Sequence, residues 1–155
     1  MKLAFNKQSF LYLIMITAAV LIIGWPSLFN DFSTLDDPNQ IISNPDIVSL
    51  DSTHLRKLFS SFYLGMYQPL ASLTYAIEYQ LWGAVANYNH AVNLLLHIIN
   101  AWLIYLLAIK ILKRKTLAFF LALLFAIHPV QVETVAWTSA RSNLLLVIFL
   151  SLIHI

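Results

Sequence analysis

Residues 10–29 carry no charged side chain, and roughly 20 apolar residues are what a helix needs to cross a bilayer core. That run settles the solvent before it settles the fold. The chain is 60 % hydrophobic and 10 % charged over 155 residues, where an ordinary soluble domain carries about 25 % charge. A soluble fold of this size could not hide so much apolar surface, so lipid is part of its surroundings. Lys2 and Lys7 give a basic start that a cleaved leader would also have. The apolar run is too long for that reading, and "GWPSLFND" offers no small-x-small cleavage site. With no cysteine in the chain, disulfides and thiolate metal sites are excluded.

The apolar pattern predicts an all-α, polytopic membrane protein with about four transmembrane helices and a helical extracytoplasmic first loop. Residues 1–9 form a cytoplasmic N-terminus and 10–29 the first span. Residues 30–89 form the outer loop, 90–109 the second span and 110–115 a basic cytoplasmic turn, "KILKRK". Residues 116–141 hold a third span, kinked or broken at His128–Pro129, with its outer connection. A fourth span begins in 142–155. Basic clusters stay cytoplasmic, and two spans separate the N-terminus from "KILKRK", so both signals give one topology. The final "LSLIHI", 150–155, matches the translation of a transposon end used in preparing sequencing libraries. A chain cut inside a span is expected to be a fragment, inactive alone.

A sixty-residue outer loop is too long for a plain connector. "PDIVSLDSTHLRKLFSSFYLG" predicts a helix capped by Asp51 or Ser52 and stopped by Gly65. "YQPLASLTYAIEYQLWG" predicts another, begun at Pro69 and stopped by Gly83. Both are amphipathic enough to lie on a membrane surface, with Arg56 and Lys57 available to anionic lipid.

Polar groups inside apolar segments demand a reason. His90, Asn93, His97 and Asn100 fall within an arc of roughly 80° on one helix. That stripe suits hydrogen bonds between helices. A metal site fits it poorly, because His90 and His97 lie about 10 Å apart along the axis. Glu133, Trp137 and Arg141 recur at four-residue spacing and would share a helix face. Arg141 is then a fixed cation suited to a phosphorylated head group, and Glu133 either a boundary charge or a functional acid. Asp36 and Asp37, just outside the first span, read as a solvated turn or as a general base held at the membrane surface. Two adjacent acids can also recruit a cation. A divalent ion is therefore the one cofactor to consider, though no metal ligand set is assigned.

The order of three blocks resembles a known family. "NDFSTLDDPNQIISNPDIV" resembles its acidic first-loop pattern. "YQPLASLTYAIEYQLWGAVANYNHAVNLLLHIINAWLIYLL" resembles its Pro-Leu, Trp-Gly and His-x-x-Asn-x-x-x-His run. "LALLFAIHPVQVETVAWTSARSNLLLVIFL" resembles its His-Pro-x-x-x-Glu-x-Val-Ala-Trp-x-x-x-Arg block. The family is that of the transmembrane and tetratricopeptide-repeat O-mannosyltransferases and their bacterial relatives, within the GT-C glycosyltransferases, and the resemblance covers about residues 10–150.

It implies a GT-C-like helical bundle and inverting transfer of mannose or a related hexose. The donor would be a polyprenyl-phosphate-linked sugar, the acceptor a hydroxyl of a protein or glycan on the extracytoplasmic face, and no nucleic acid is involved. It further implies one of Asp36 and Asp37 as the base, Asp36 by preference. His128, Glu133 and Arg141 would bind donor phosphate or support the acidic loop. Gln68, standing where many relatives have arginine, would give the donor phosphate a hydrogen bond but no charge, while His90, Asn93, His97 and Asn100 would be architecture. The expected site is a multi-pass protein of a bacterial inner membrane, or of the endoplasmic reticulum in a eukaryote. A transporter or lipid flippase, and a non-catalytic anchor, are the alternatives.

Overall fold

A computed structural model describes residues 6–155, so Lys2 of the basic start lies outside the described residues. Helix α1, Lys7–Gly24, begins where the Asn6 side chain accepts the Ser9 N–H, an N-cap that satisfies one of the free donors of the first turn. Past Gly24 it tightens into a 3-10 segment, Trp25–Phe29, with Pro26 in its first turn. A Cβ on Gly24 would collide with the Leu94 side chain, so glycine is what lets α1 approach the next long helix.

The segment between α1 and the next long helix is built from short pieces. A single wide turn, Pro38–Ile42, closes with the Ser43 N–H on Pro38 O, and a 3-10 turn, Pro45–Ile47, follows it. Helix α2 spans Ser52–Leu58 and α3 spans Pro69–Trp82. Pro69 starts α3 and Gly83, at φ 72°, ends it, as the sequence predicts. Helix α2 stops well short of the expected Gly65. Its last carbonyls are taken by Ser60 and Ser61, and the chain then folds into a tight turn in which Tyr63 and Met66 exchange both backbone hydrogen bonds. Leu64 and Gly65 both have positive φ there, as a two-residue hairpin turn requires.

Asp51 caps α2, accepting from Thr53 N–H at 2.8 Å and His54 N–H at 2.9 Å. The bonds from the His54 backbone and ring hold its carboxyl down at about 2. The cap's contribution is therefore present above the ordinary carboxylate pKa and is lost as pH falls through about 2. Acidification through that window, or Asp51→Ala at neutral pH, is expected to speed amide exchange at Thr53 and His54 while α3 stays protected.

Helix α4, Ala86–Leu112, is the spine. It starts four residues before the expected span and packs against α1, α5 (Lys115–Ile127) and α7 (Arg141–His154). Tyr12 packs on Tyr105, and the Trp102 indole donates to Thr17 Oγ1, so α1 runs antiparallel to α4. His97 meets the end of α5, whereas Asn93 meets the start of α7 and Lys110 its end. The four helices therefore alternate in direction. The basic 110–115 turn lies at one end of the bundle and the acidic loop at the other. Ala101, Ala118 and Ala122 are fully buried between helices, where small side chains permit close approach.

Two helices, Lys7–Phe29 and Ala86–Leu112, are long and apolar enough to cross a membrane. The expected third and fourth spans are shorter: Lys115–Ile127 and Thr138–His154 are apolar helices below that length. At about 1.5 Å per residue, α5 reaches only about 20 Å. Pro129 accounts for its end, because a residue before proline is driven to extended backbone, and His128 sits at φ −68°, ψ 133°. The chain turns, forms α6 (Gln131–Ala136), breaks again at Trp137, and passes through a 3-10 turn, Thr138–Ala140, into α7. Because of the Trp137 break, Glu133 and Arg141 do not share the helix face that their spacing suggests: Glu133 is exposed and Arg141 is buried.

Candidate active site

Broken helices leave carbonyl groups without intrahelical partners, and lipid supplies none. The polar stripe on α4 answers that need. His97 Nε2 donates to Ala126 O at 2.9 Å, at the end of α5. The Asn93 amide donates to Val135 O, Trp137 O and Thr138 O at 3.2–3.4 Å. The Asn100 amide donates to Leu144 O at 3.0 Å. His90 bridges Asp31 O and the Thr138 hydroxyl, each at 3.4 Å. All four side chains are buried, and the stripe stitches the 126–144 segment to the spine.

The adjacent aspartates have opposite surroundings. Asp37 is fully buried. Its Oδ2 accepts the Ser33 N–H at 2.7 Å, and its Oδ1 accepts the Ser139 N–H at 3.0 Å together with the Ser139 hydroxyl. It ties the first loop to the turn before α7, more than a hundred residues away. Asp36 is half-buried. Its backbone carbonyl accepts the N–H groups of Asn39 and Gln40, and its carboxylate has no hydrogen-bond or ionic partner among the described residues. One acid is an anchor. The other is a half-buried carboxylate left without a partner beside that anchor.

Arg141 lies in the floor of the same region, fully buried. A guanidinium has five N–H donors, and all are engaged. Nε donates to Asn93 Oδ1 at 2.7 Å, one terminal nitrogen to Thr74 Oγ1 at 2.9 Å and to Glu78, and the other to Glu78 Oε2 and Asn89 O at 3.1 Å each. The group stacks over the Tyr75 ring, 4.4 Å from its centroid. No donor remains for a phosphate. Burial pushes the Glu78 carboxyl up from its ordinary value, and the guanidinium draws it back. Burial also pushes the Tyr75 phenol up, keeping it a donor to Thr138 O at 2.9 Å.

The remaining expected site residues sit elsewhere. His128 is exposed and lies on the wall of a cavity of about 190 Å³ between α1, α4 and the α5–α6 break, formed chiefly by Val20, Ile23, Leu94 and Val135. Its Nδ1 accepts the Val130 N–H at 3.2 Å, which leaves Nε2 as the ring's donor. A wider, open groove shares Asn30 and Val132 with that cavity and adds Asp31, Ser33, Glu133 and Trp137. Gln68, at the head of α3, reaches Met66 Sδ at 3.9 Å and takes no part in the Arg141 cluster. Among the described residues no three or more His, Asp or Glu side chains gather as metal ligands, and the Asp37 oxygens are already taken.

Over 122 residues the chain is 35 % identical to protein O-mannosyl-transferase TMTC1 of Mus musculus, covering 71 % of this chain and 13 % of that protein. It is 30 % identical over 145 residues to protein O-mannosyl-transferase TMTC3 of the same species, covering 87 % and 15 %. Protein O-mannosyl-transferase Tmtc1 of Drosophila melanogaster is 30 % identical over 117 residues, covering 70 % and 14 %. The chain belongs to the TMTC family. It spans only about a seventh of the length of these relatives. No family model and no solved structure matches it.

In this TMTC-family chain, sequence reasoning missed Thr74, Tyr75, Glu78, Thr138 and Ser139. A signal for Glu78 was present. It shares a helix face with Thr74, four residues back, in an otherwise apolar and aromatic segment. A carboxylate there is costly to bury unless paired, and Arg141 heads an apolar helix with the same difficulty.

Proposed function

We propose that this chain carries part of the active site of a membrane glycosyltransferase. It would move mannose or a related hexose from a polyprenyl-phosphate-linked donor to a protein hydroxyl, on the extracytoplasmic face and with inversion. The observation that carries the reading is the division of labour in the acid pair. Asp37 is locked by three hydrogen bonds, and Asp36 stands beside it with a free carboxylate. The names of its relatives supply the reaction class.

The α1 and α4 spans set the acidic loop at the head-group level, with α5 and α7 packed beside them. The apolar cavity takes part of the prenyl chain. The groove beside it, lined by Asp31 and Glu133, accepts hydrogen bonds from sugar hydroxyls and repels phosphate. Asp36 takes the proton of the acceptor hydroxyl as that oxygen attacks the anomeric carbon from the face opposite the phosphate. The carbon–oxygen bond to the phosphate breaks, and the prenyl phosphate leaves with the bonding electrons. His128 Nε2–H meets the charge growing on it. Arg141 keeps the floor in place.

The reading is tested with the intact protein in membranes, given radiolabelled mannosyl-phosphoryl-polyprenol and a serine- and threonine-rich peptide. Label should enter the peptide. His128→Ala should lower kcat about tenfold or more, the worth of one hydrogen bond to a charged group, with donor KM little changed, because the bond strengthens as charge grows on the leaving phosphate. Transfer from a nucleotide sugar with no prenyl donor present would rule the reading out.

A further inference from the structure

We infer that Glu78 and Ser139 are positioning residues that set the orientation of Asp36 without touching substrate. The inference rests on Asp36 being the base.

The contacts form one chain. Glu78 grips Arg141 through both carboxylate oxygens, and Arg141 is the first residue of α7, directly after the Thr138–Ala140 turn. Tyr75, one turn back on α3, donates to Thr138 O at 2.9 Å. Asn93 holds the same turn from the other side, its amide on Trp137 O and Thr138 O and its oxygen on Arg141 Nε. The turn is thus clamped between α3 and α4. What it presents outward is Ser139, whose N–H and O–H both meet Asp37 Oδ1. The other Asp37 oxygen holds the Ser33 N–H, so the backbone on either side of Asp36 is pinned to a turn that Glu78 and Arg141 fix.

A buried ion pair gives little net stability compared with apolar side chains of the same volume, but it does demand one geometry. Here that geometry is handed to the anchor of the acidic loop. Shifts of about 1 Å at a reacting group can lower turnover by about 10²-fold, so a base on a loop needs such a support.

These 155 residues contain no cysteine, so within them an introduced cysteine is the one labelling site. A nitroxide at Leu35→Cys, a position 67 % exposed beside Asp36, reports on the loop, and one at Leu117→Cys on α5 serves as control. Glu78→Gln and Ser139→Ala should each mobilise the label at position 35 and leave that at 117 unchanged. In the intact protein both should lower kcat, Glu78→Gln by about 10²-fold, with donor KM held within about twofold. A rigid label with wild-type kcat in both variants would overturn the inference, as would equal losses in kcat, KM and control rigidity. If Glu78→Gln does not fold, Ser139→Ala decides, since it keeps the backbone N–H on Asp37. Wild-type transfer by Asp36→Asn would instead overturn the catalytic reading, and the label would still decide the positioning.

Discussion

Replacing Arg141 with methionine should destabilise the protein by about 3–5 kcal/mol, the range found when one partner of a buried ion pair is removed. The guanidinium fills all five of its donor positions inside the protein. Its loss leaves Glu78 as a buried charge with no counterion, and the Asn93 side-chain oxygen and Asn89 carbonyl lose their donor. The neighbours cannot compensate, because Thr74 and Tyr75 are neutral and offer no positive charge to Glu78. A double change, Glu78→Leu with Arg141→Met, should recover most of the loss, since removing a pair whole is often close to neutral. Thermal unfolding in detergent or nanodiscs would measure both. The contrast with a phosphate-binding arginine is direct. Such a residue would leave the melting temperature unchanged when replaced and raise the donor KM.

The difference between those two roles marks how far the sequence is legible. The existence of α1 and α4, though not their ends, follows from apolar runs, and the ends of α3 follow from Pro69 and Gly83, because those signals are local. The break at His128–Pro129 is local too, since proline acts on the residue before it. The path from 131 to 140 is not. Whether "VQVETVAW" continues a helix depends on whether its free carbonyls find donors elsewhere, and the Asn93 amide that supplies them lies more than forty residues away. Helix α2 shows the same limit on a smaller scale: Ser60, Ser61 and a two-residue turn end it where the apolar spacing alone would run on to Phe62 and Gly65. For the site, residue type marked both aspartates and Arg141, and partners decided their roles. An arginine at the head of an apolar helix has equal claim to a ligand and to a buried carboxylate until Glu78 is placed against it. Asp36 and Asp37 are indistinguishable as letters, and their contacts with Ser33 and Ser139 separate them.

Asp36→Asn and Asp37→Asn should accordingly fail in different ways. Asparagine at 36 removes the proposed proton acceptor and disturbs no side-chain contact among the described residues, so folding and donor KM should stay near wild type. Transfer should drop by about 10²–10⁴-fold, the usual contribution of a general base. Asparagine at 37 keeps one oxygen but points N–H donors at a site built from the Ser33 N–H, the Ser139 N–H and the Ser139 hydroxyl. At least one charge-assisted bond is lost and one buried donor is left facing another, a penalty of about 1.5–3 kcal/mol. Its activity should fall together with its melting temperature. Ser139→Ala combined with Asp37→Asn should then be less than additive, because both remove the same contact. Equal loss of turnover in the two asparagine variants with neither destabilised would mean that both carboxylates face substrate, and the buried anchor at Asp37 would not be the working state.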